Sequence, residues 1–353
     1  MNSKHKHIED NLSILSRENK LSQKRIETMR EYAYRLDDQS LPIIYDQEHF
    51  CQLVGYEYYY VLTLSNESEK YYKEYKIPKK HNGFRIIEEP YPDLKDIQSW
   101  ILKEILDKAS KRYVSAVSKA FIQGCKLRDN ARFHRGKKKI VVLDIKDFFT
   151  NVTFGAVYET FFKMGYTRAL ATLFAKICTY NNYLPQGAPT SPMLSNMVLH
   201  DFDERLWGYC HRRKINYTRY ADDMTFSGDD IKIKHLITYV KQILPDKLRI
   251  NNEKTNVMGK GCRQRVTGIV VNEKVQVPRV YRDRIRQEIY YCIKFGITSH
   301  RLQVKNLPQW ITGDKQYVRY LLGKINFVLQ TNPKDVVFLT YSNWLKEKFH
   351  TYG

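Results

Sequence analysis

Residues 215–227 read INYTRYADDMTFS. The alternating pattern breaks at two adjacent carboxylates, Asp222 and Asp223, which predicts strand, tight turn, strand, with the pair at the bend. Adjacent aspartates in a turn are ordinarily solvated and close local Asx turns. Here the flanking YTRY and MTFS would bury much of the hairpin, and like charges packed so closely repel unless a cation intervenes. The stretch therefore predicts a divalent-metal site on a β-hairpin.

Upstream, IVVLDI (residues 140–145) is an apolar run ending in a carboxylate, as expected of a buried strand that delivers Asp144 to its end. Carboxylates converging from adjacent strand ends suit nucleotidyl transfer. Two magnesium ions roughly 3.5–4 Å apart can polarise the attacking hydroxyl and stabilise the departing pyrophosphate. Magnesium prefers carboxylate, phosphate and water oxygens. Asp147 is the competing carboxylate. It is expected to face away, because three residues along an extended strand reverse the side-chain direction, and to form a salt bridge.

Further out, YYKEYKIPKKHNGFRIIEE (71–89) predicts two strands joined at Asn82-Gly83. Leu94, Ile97, Ile101 and Ile105 have helical spacing. Thr153 and Thr167 are expected N-caps of two helices. Residues 190–213 predict one long helix and 231–244 another. Strands near 247–258 and 264–271 complete a βαββαβ-like unit, and from Val277 the chain reads as mostly helical. Residues 1–40 read as a loosely attached helical extension, with apolar positions at Ile8, Leu12, Leu15, Ile26 and Met29.

Composition fits a polyanionic partner: 59 Lys and Arg against 38 Asp and Glu give a formal net charge of +21. The 27 Tyr and 16 Phe offer flat faces for bases. None of the six cysteines forms a CxxC pair, so reduced thiols in a cytoplasmic protein are expected. The N-terminal stretch has no apolar signal core and no segment approaches a membrane span, so no membrane partner is expected.

Three strings resemble the reverse transcriptases. Tyr220-Ala221-Asp222-Asp223 matches their YxDD signature. Asp144-Ile145-Lys146-Asp147-Phe148-Phe149 matches their first palm motif, an Asp followed at a fixed distance by an aromatic. Leu184-Pro185-Gln186-Gly187-Ala188-Pro189-Thr190-Ser191-Pro192 matches the LPQG-x-P-x-SP motif between them. Order and spacing agree over about residues 71–300. Two shorter strings resemble the retron type: Asn130-Ala131-Arg132-Phe133-His134 fits NAxxH, and Val266-Thr267-Gly268 fits VTG.

The resemblance implies an α+β right hand with an antiparallel palm sheet backed by helices and a helical thumb. Its boundaries would be an extension at 1–40, fingers at 41–130, palm at 131–275 with an insertion at about 154–190, and an RNA-binding thumb at 276–353. Asp144, Asp222, Asp223 and the Ile145 carbonyl would hold two Mg2+ ions, with Mn2+ a possible substitute. Phe149 would exclude a ribose 2′-hydroxyl, with Phe148 beside it in the dNTP pocket. Gln186 and Gly187 would line that pocket, and Arg85 with Lys79 or Lys80 would grip the triphosphate. Lys254 resembles the lysine that protonates pyrophosphate.

Asn130, His134, Val266, Thr267 and Gly268 would contact RNA or scaffold it. Arg279, Arg282 and Arg286, on one helical face opposite Tyr281, Ile285, Ile289 and Cys292, would track phosphates. The implied activity is RNA-directed DNA synthesis. It would use a structured non-coding RNA as primer and template and yield branched multicopy DNA in antiphage defence. Host RNase H would assist in processing, and an effector protein would be a partner. The alternatives are another bacterial reverse transcriptase, of abortive-infection or group II intron type, and an RNA-binding structural component with weak polymerase activity.

Overall fold

Leu94, Ile97, Ile101 and Ile105, the apolar stripe read from the sequence, are fully buried along one helical stretch. It runs as an α-helix from Pro92 to Ile101, widens into a π-turn at Leu102–Leu106 and continues over Asp107–Tyr113. The structure, a computed structural model, describes residues 5–19, 22–79 and 83–351. The chain forms two compact units. One comprises residues 1–121, 145–208 and 238–251, the other residues 122–144, 209–237 and 252–353.

In the first unit, β1 (Tyr72–Pro78) and β2 (Phe84–Pro90) form the expected antiparallel ladder, with Tyr72 opposite Pro90 and Pro78 opposite Phe84. Asn82 of the expected turn lies outside the described residues. Thr153 and Thr167 cap the helices Phe154–Lys163 and Arg168–Cys178, each side chain accepting from the backbone N–H three residues on. Two expectations need correction. The N-terminal extension is not loosely attached. Ile8, Leu12 and Ala33 form a buried cluster against Met29, Tyr34, Ile43 and Tyr45, and the Tyr32 hydroxyl donates to the Ile44 carbonyl at 2.6 Å. The long helix expected over 190–213 is two helices, Ser191–Val198 and His200–His211, broken at the buried Leu199.

In the second unit the central sheet has the order β4-β5-β3-β6, with β3 Lys139–Ile145, β4 Asn216–Tyr220, β5 Asp223–Gly228 and β6 Ile250–Gly259. Both β4 and β3 pair antiparallel to β5. Period-two alternation sends Val141, Leu143, Tyr217, Met224 and Phe226 to one face, all buried, with Tyr217 stacked on Phe226 at 4.9 Å. Asp144, Val142, Thr218, Asp223, Thr225 and Ser227 share the other face.

The strand expected over 264–271 is a miniature hairpin instead. Here β7 (Arg265–Val266) and β8 (Ile269–Val270) turn at Thr267 and Gly268, both with positive φ. The helices Arg279–Phe295, Ile297–Gln303, Asp314–Thr331 and Val336–Thr351 follow, with Ile285, Ile289, Leu321, Ile325 and Phe338 in their shared core. Among the described residues no helix is long and apolar enough to cross a membrane.

Candidate active site

The two aspartates sit where the β4–β5 hairpin bends. The bend is made at Ala221, whose φ of +56° is left-handed. Arg219, fully buried, donates to the Ala221 carbonyl at 3.0 Å and so supports the bend from below. Strand register then places Asp223 directly opposite Asp144. Directly paired strand residues have Cβ atoms about 4.5–5.5 Å apart, so the two carboxylates emerge side by side.

Their electrostatics show the strain of that arrangement. Burial pushes the Asp223 carboxyl up to about 6, helped by the charges of Asp222 and Asp144 and opposed by Lys254. Asp144 is 5% exposed. Its Oδ2 accepts from Lys254 Nζ at 3.0 Å, while its Oδ1 is buried with no hydrogen-bond partner. That hydrogen bond in turn raises the Lys254 ammonium above its ordinary range. Among the described residues no group of three or more His, Cys, Asp and Glu side chains gathers tightly enough to hold an ion unaided. An unpartnered carboxylate oxygen beside a second carboxylate nevertheless fits Mg2+, which takes one or two carboxylates and completes its shell with substrate phosphate and water.

A cavity of about 450 Å3 adjoins the pair, lined by Val142, Asp223, Thr225, Lys254, Arg263, Arg265 and Thr267 among others. Asp147 departs from expectation. The strand has already ended at Ile145, so alternation no longer applies. Asp147 lies exposed in a turn at φ +45°, its carbonyl accepting from Asn151 and Thr150, and no ion pair involves it among the described residues.

The nucleotide-pocket candidates lie in the first unit. Phe148 is buried at 3% exposure, so its ring is spent on packing rather than on a nucleotide. Phe149 is half-buried, with its ring 6.3 Å from Phe121. Glu88, which sequence reasoning missed, joins two of the expected elements. It is buried on β2, its Oε2 accepts from the Gln186 N–H at 2.9 Å, and its own N–H donates to the Gln186 carbonyl at 3.0 Å. Its other oxygen accepts from the Tyr183 hydroxyl at 2.7 Å.

Gly187 follows at φ +154°, and a Cβ there would lie 2.4 Å from the Glu88 carbonyl oxygen, so only glycine fits. Arg85 stands exposed on the same strand as Glu88, opposite Ile77, and Lys79 is also exposed. Lys80 lies outside the described residues.

Three residues expected to meet RNA are turned inward. Asn130, His134 and Val266 are each 0% exposed, which rules out direct contact by their side chains. Thr267 is half-buried and Gly268 exposed. In the helix Arg279–Phe295 the apolar face is as expected, with Ile285, Ile289 and Cys292 buried. Its basic face is partly neutralised, because Arg279 and Arg286 both reach Asp283, at 3.3 and 2.6 Å. Arg282 is half-buried, with its Nε unpartnered.

Residues 77–309 match the family described as reverse transcriptase (RNA-dependent DNA polymerase). The chain is 30% identical to the retron Ec86 reverse transcriptase of Escherichia coli, over 90% of this chain and 94% of that one. The chain belongs to the reverse transcriptase family. Within it, this reverse transcriptase groups with retron enzymes. It is also 32% identical to the retron Mx65 enzyme of Myxococcus xanthus (73% and 65% covered) and 31% identical to the retron Ec83 enzyme of Escherichia coli (68% and 81%). The reverse transcriptase is accordingly an RNA-directed DNA polymerase of a retron, with an RNA template and a DNA product as its partners. Its family works with divalent metal ions.

Proposed function

We propose that this reverse transcriptase copies a structured non-coding RNA, serving as both primer and template, into branched multicopy single-stranded DNA, in the cytoplasm and in antiphage defence. Host RNase H and an effector protein are its proposed companions. The observation that carries the catalytic reading is the register match of Asp144 with Asp223 beside an unpartnered Asp144 Oδ1.

In this reading Asp144, Asp222 and Asp223, with the Ile145 carbonyl, hold two Mg2+ ions. When bound, these ions activate the primer hydroxyl and neutralise charge on the triphosphate. Lys254, kept protonated by Asp144, is placed to give its proton to the leaving pyrophosphate. Arg85 and Lys79 or Lys80 take the triphosphate, and Phe149 discriminates against ribose. Gln186 and Gly187 wall the nucleotide site, braced by Glu88. Residues 41–130 serve as fingers, 131–275 as palm and 276–353 as thumb.

The test is to express the chain with its RNA and sequence the copurifying nucleic acid. A branched 2′,5′-linked RNA–DNA product supports the retron reading, whereas linear product alone favours another bacterial reverse transcriptase. Asp222→Asn and Asp223→Asn should abolish synthesis. Unchanged synthesis in both would end the metal assignment.

A further inference from the structure

Residues 180–183, Tyr-Asn-Asn-Tyr, which sequence reasoning missed, form a two-residue hairpin turn. Tyr180 and Tyr183 exchange backbone hydrogen bonds of 2.8 and 2.9 Å, and Asn181 and Asn182 between them have φ of +48° and +64°, as a type I′ turn requires. The turn presents two phenols to the two strands of the β1–β2 hairpin. The Tyr180 hydroxyl donates to Glu74 Oε1 at 2.8 Å, and the Tyr183 hydroxyl to Glu88 Oε1 at 2.7 Å. Glu74 and Glu88 are direct cross-strand partners, and like charges so placed repel. Each carboxylate is met by a neutral phenol. Burial, then the Glu88 bond, pushes the Tyr183 phenol up, and the Glu74 bond pushes that of Tyr180 up to about 12, so both keep the proton they donate.

Three parts of the proposed nucleotide pocket are fastened to this turn. From β2, Glu88 reaches Tyr183 with one carboxylate oxygen and the Gln186 N–H with the other. Arg85, three residues earlier on that strand, projects from the opposite face and stays exposed. From the segment that follows Phe149, the Val152 carbonyl accepts from the Leu184 N–H at 3.1 Å, and the Phe154 N–H donates to the Asn182 carbonyl at 2.8 Å. Gln186 and Gly187 continue directly from the turn. The two phenol bonds differ in setting. Glu88 is 4% exposed, so losing the Tyr183 hydroxyl would strand a buried charge, whereas Glu74 is exposed and can take water in place of Tyr180.

We propose that Tyr183 and Glu88 are positioning residues of the nucleotide site: their hydrogen bond holds the strand of Arg85, the segment after Phe149 and the Gln186–Gly187 wall in one frame, so that triphosphate grip and sugar discrimination are set together. This rests on the nucleotide-pocket reading above. The test uses the purified full chain with an RNA template annealed to a DNA primer, measuring KM for dNTP, KM for primer–template, kcat and ribonucleotide incorporation, each below the Tm of the variant.

Tyr183→Phe keeps the ring and removes the donor. It should raise dNTP KM by about tenfold or more, as loss of a hydrogen bond to a buried charge requires, and raise ribonucleotide incorporation, with primer–template KM little changed. Tyr180→Phe, which takes the same group from the exposed glutamate, should do far less. Glu88→Gln, which can still accept from the Gln186 N–H and turn its amide to Tyr183, should keep more dNTP affinity than Glu88→Ala. Adding Tyr183→Phe to Glu88→Ala should do no further harm, since the phenol acts through that carboxylate. Normal dNTP KM in Tyr183→Phe, an equal rise in primer–template KM, an equal effect of Tyr180→Phe, or additive losses in the double variant would overturn the proposal. Should Glu88→Ala not fold, Tyr183→Phe alone decides. Arg85→Ala and Phe149→Val separate the two readings: if they too leave dNTP KM and sugar choice unchanged, the pocket assignment itself fails.

Discussion

Replacing Asp223 by Asn should destroy synthesis and yet stabilise the metal-free protein. Its carboxyl is held at about 6 in the fold against an ordinary 3.8, with burial the largest cause. Each pH unit of such a gap is worth about 1.4 kcal/mol, so the ionised side chain costs the fold about 3 kcal/mol, as an order of magnitude. Below pH 3.8 the carboxyl is protonated in folded and unfolded chain alike and nothing is lost. As pH rises from there to about 6, the unfolded chain releases its proton first, and stability falls. Above about 6 the full cost is present.

Urea denaturation in EDTA should therefore find Asp223→Asn more stable at pH 8 by up to about 3 kcal/mol. The advantage should shrink to near zero by about pH 4. Added Mg2+ should stabilise the unsubstituted chain and leave the variant nearly unmoved, because ligand binding to the folded state alone raises stability. A variant less stable at pH 8 in EDTA, or an advantage that does not change with pH, would refute the electrostatic argument.

Gly187→Ala drives a Cβ to 2.4 Å from the Glu88 carbonyl, so the loop must shift. We expect a stability loss of at least about 1–3 kcal/mol and a raised dNTP KM, read by melting and steady-state kinetics. On the proposed reading of Phe149 as the group that discriminates against ribose, Phe149→Val opens space beside the sugar. Incorporation of ribonucleotides relative to deoxyribonucleotides should rise by about tenfold or more, measured by competitive extension. Ile289→Ala, in the core of the C-terminal helices, should cost about 2–5 kcal/mol in urea denaturation and leave dNTP KM unchanged.

The hairpin, the apolar strand and the helix caps were legible because each rests on local chemistry: alternation, a bend that takes aspartates, a threonine three residues before an orphan N–H. The pairing of the two strands was not read from the sequence, because a shift of two residues would leave Val141, Leu143, Met224 and Phe226 on the same side. What escaped depends on partners distant in the chain. Asn130 and His134 look like surface polar residues until Thr218, Ser227 and Thr267 satisfy them. Glu88 resembled its half-buried neighbour Glu89, because nothing nearby announces the Gln186 backbone as its partner. The break at Leu199 and the turn at Thr267 likewise interrupt apolar patterns that are continuous in sequence.

The left-handed bend at Ala221 limits what evolution can place between the tyrosine and the aspartates. The residue is almost enclosed, its carbonyl is captured by a buried guanidinium, and its left-handed backbone is one that β-branched and bulky side chains disfavour. Glycine alone would ease the torsion, at the expense of a slacker loop whose carboxylates wander. Alanine is thus a compromise between fit and stiffness, and the smallest side chain in the hairpin governs how steadily its two most charged residues are aimed.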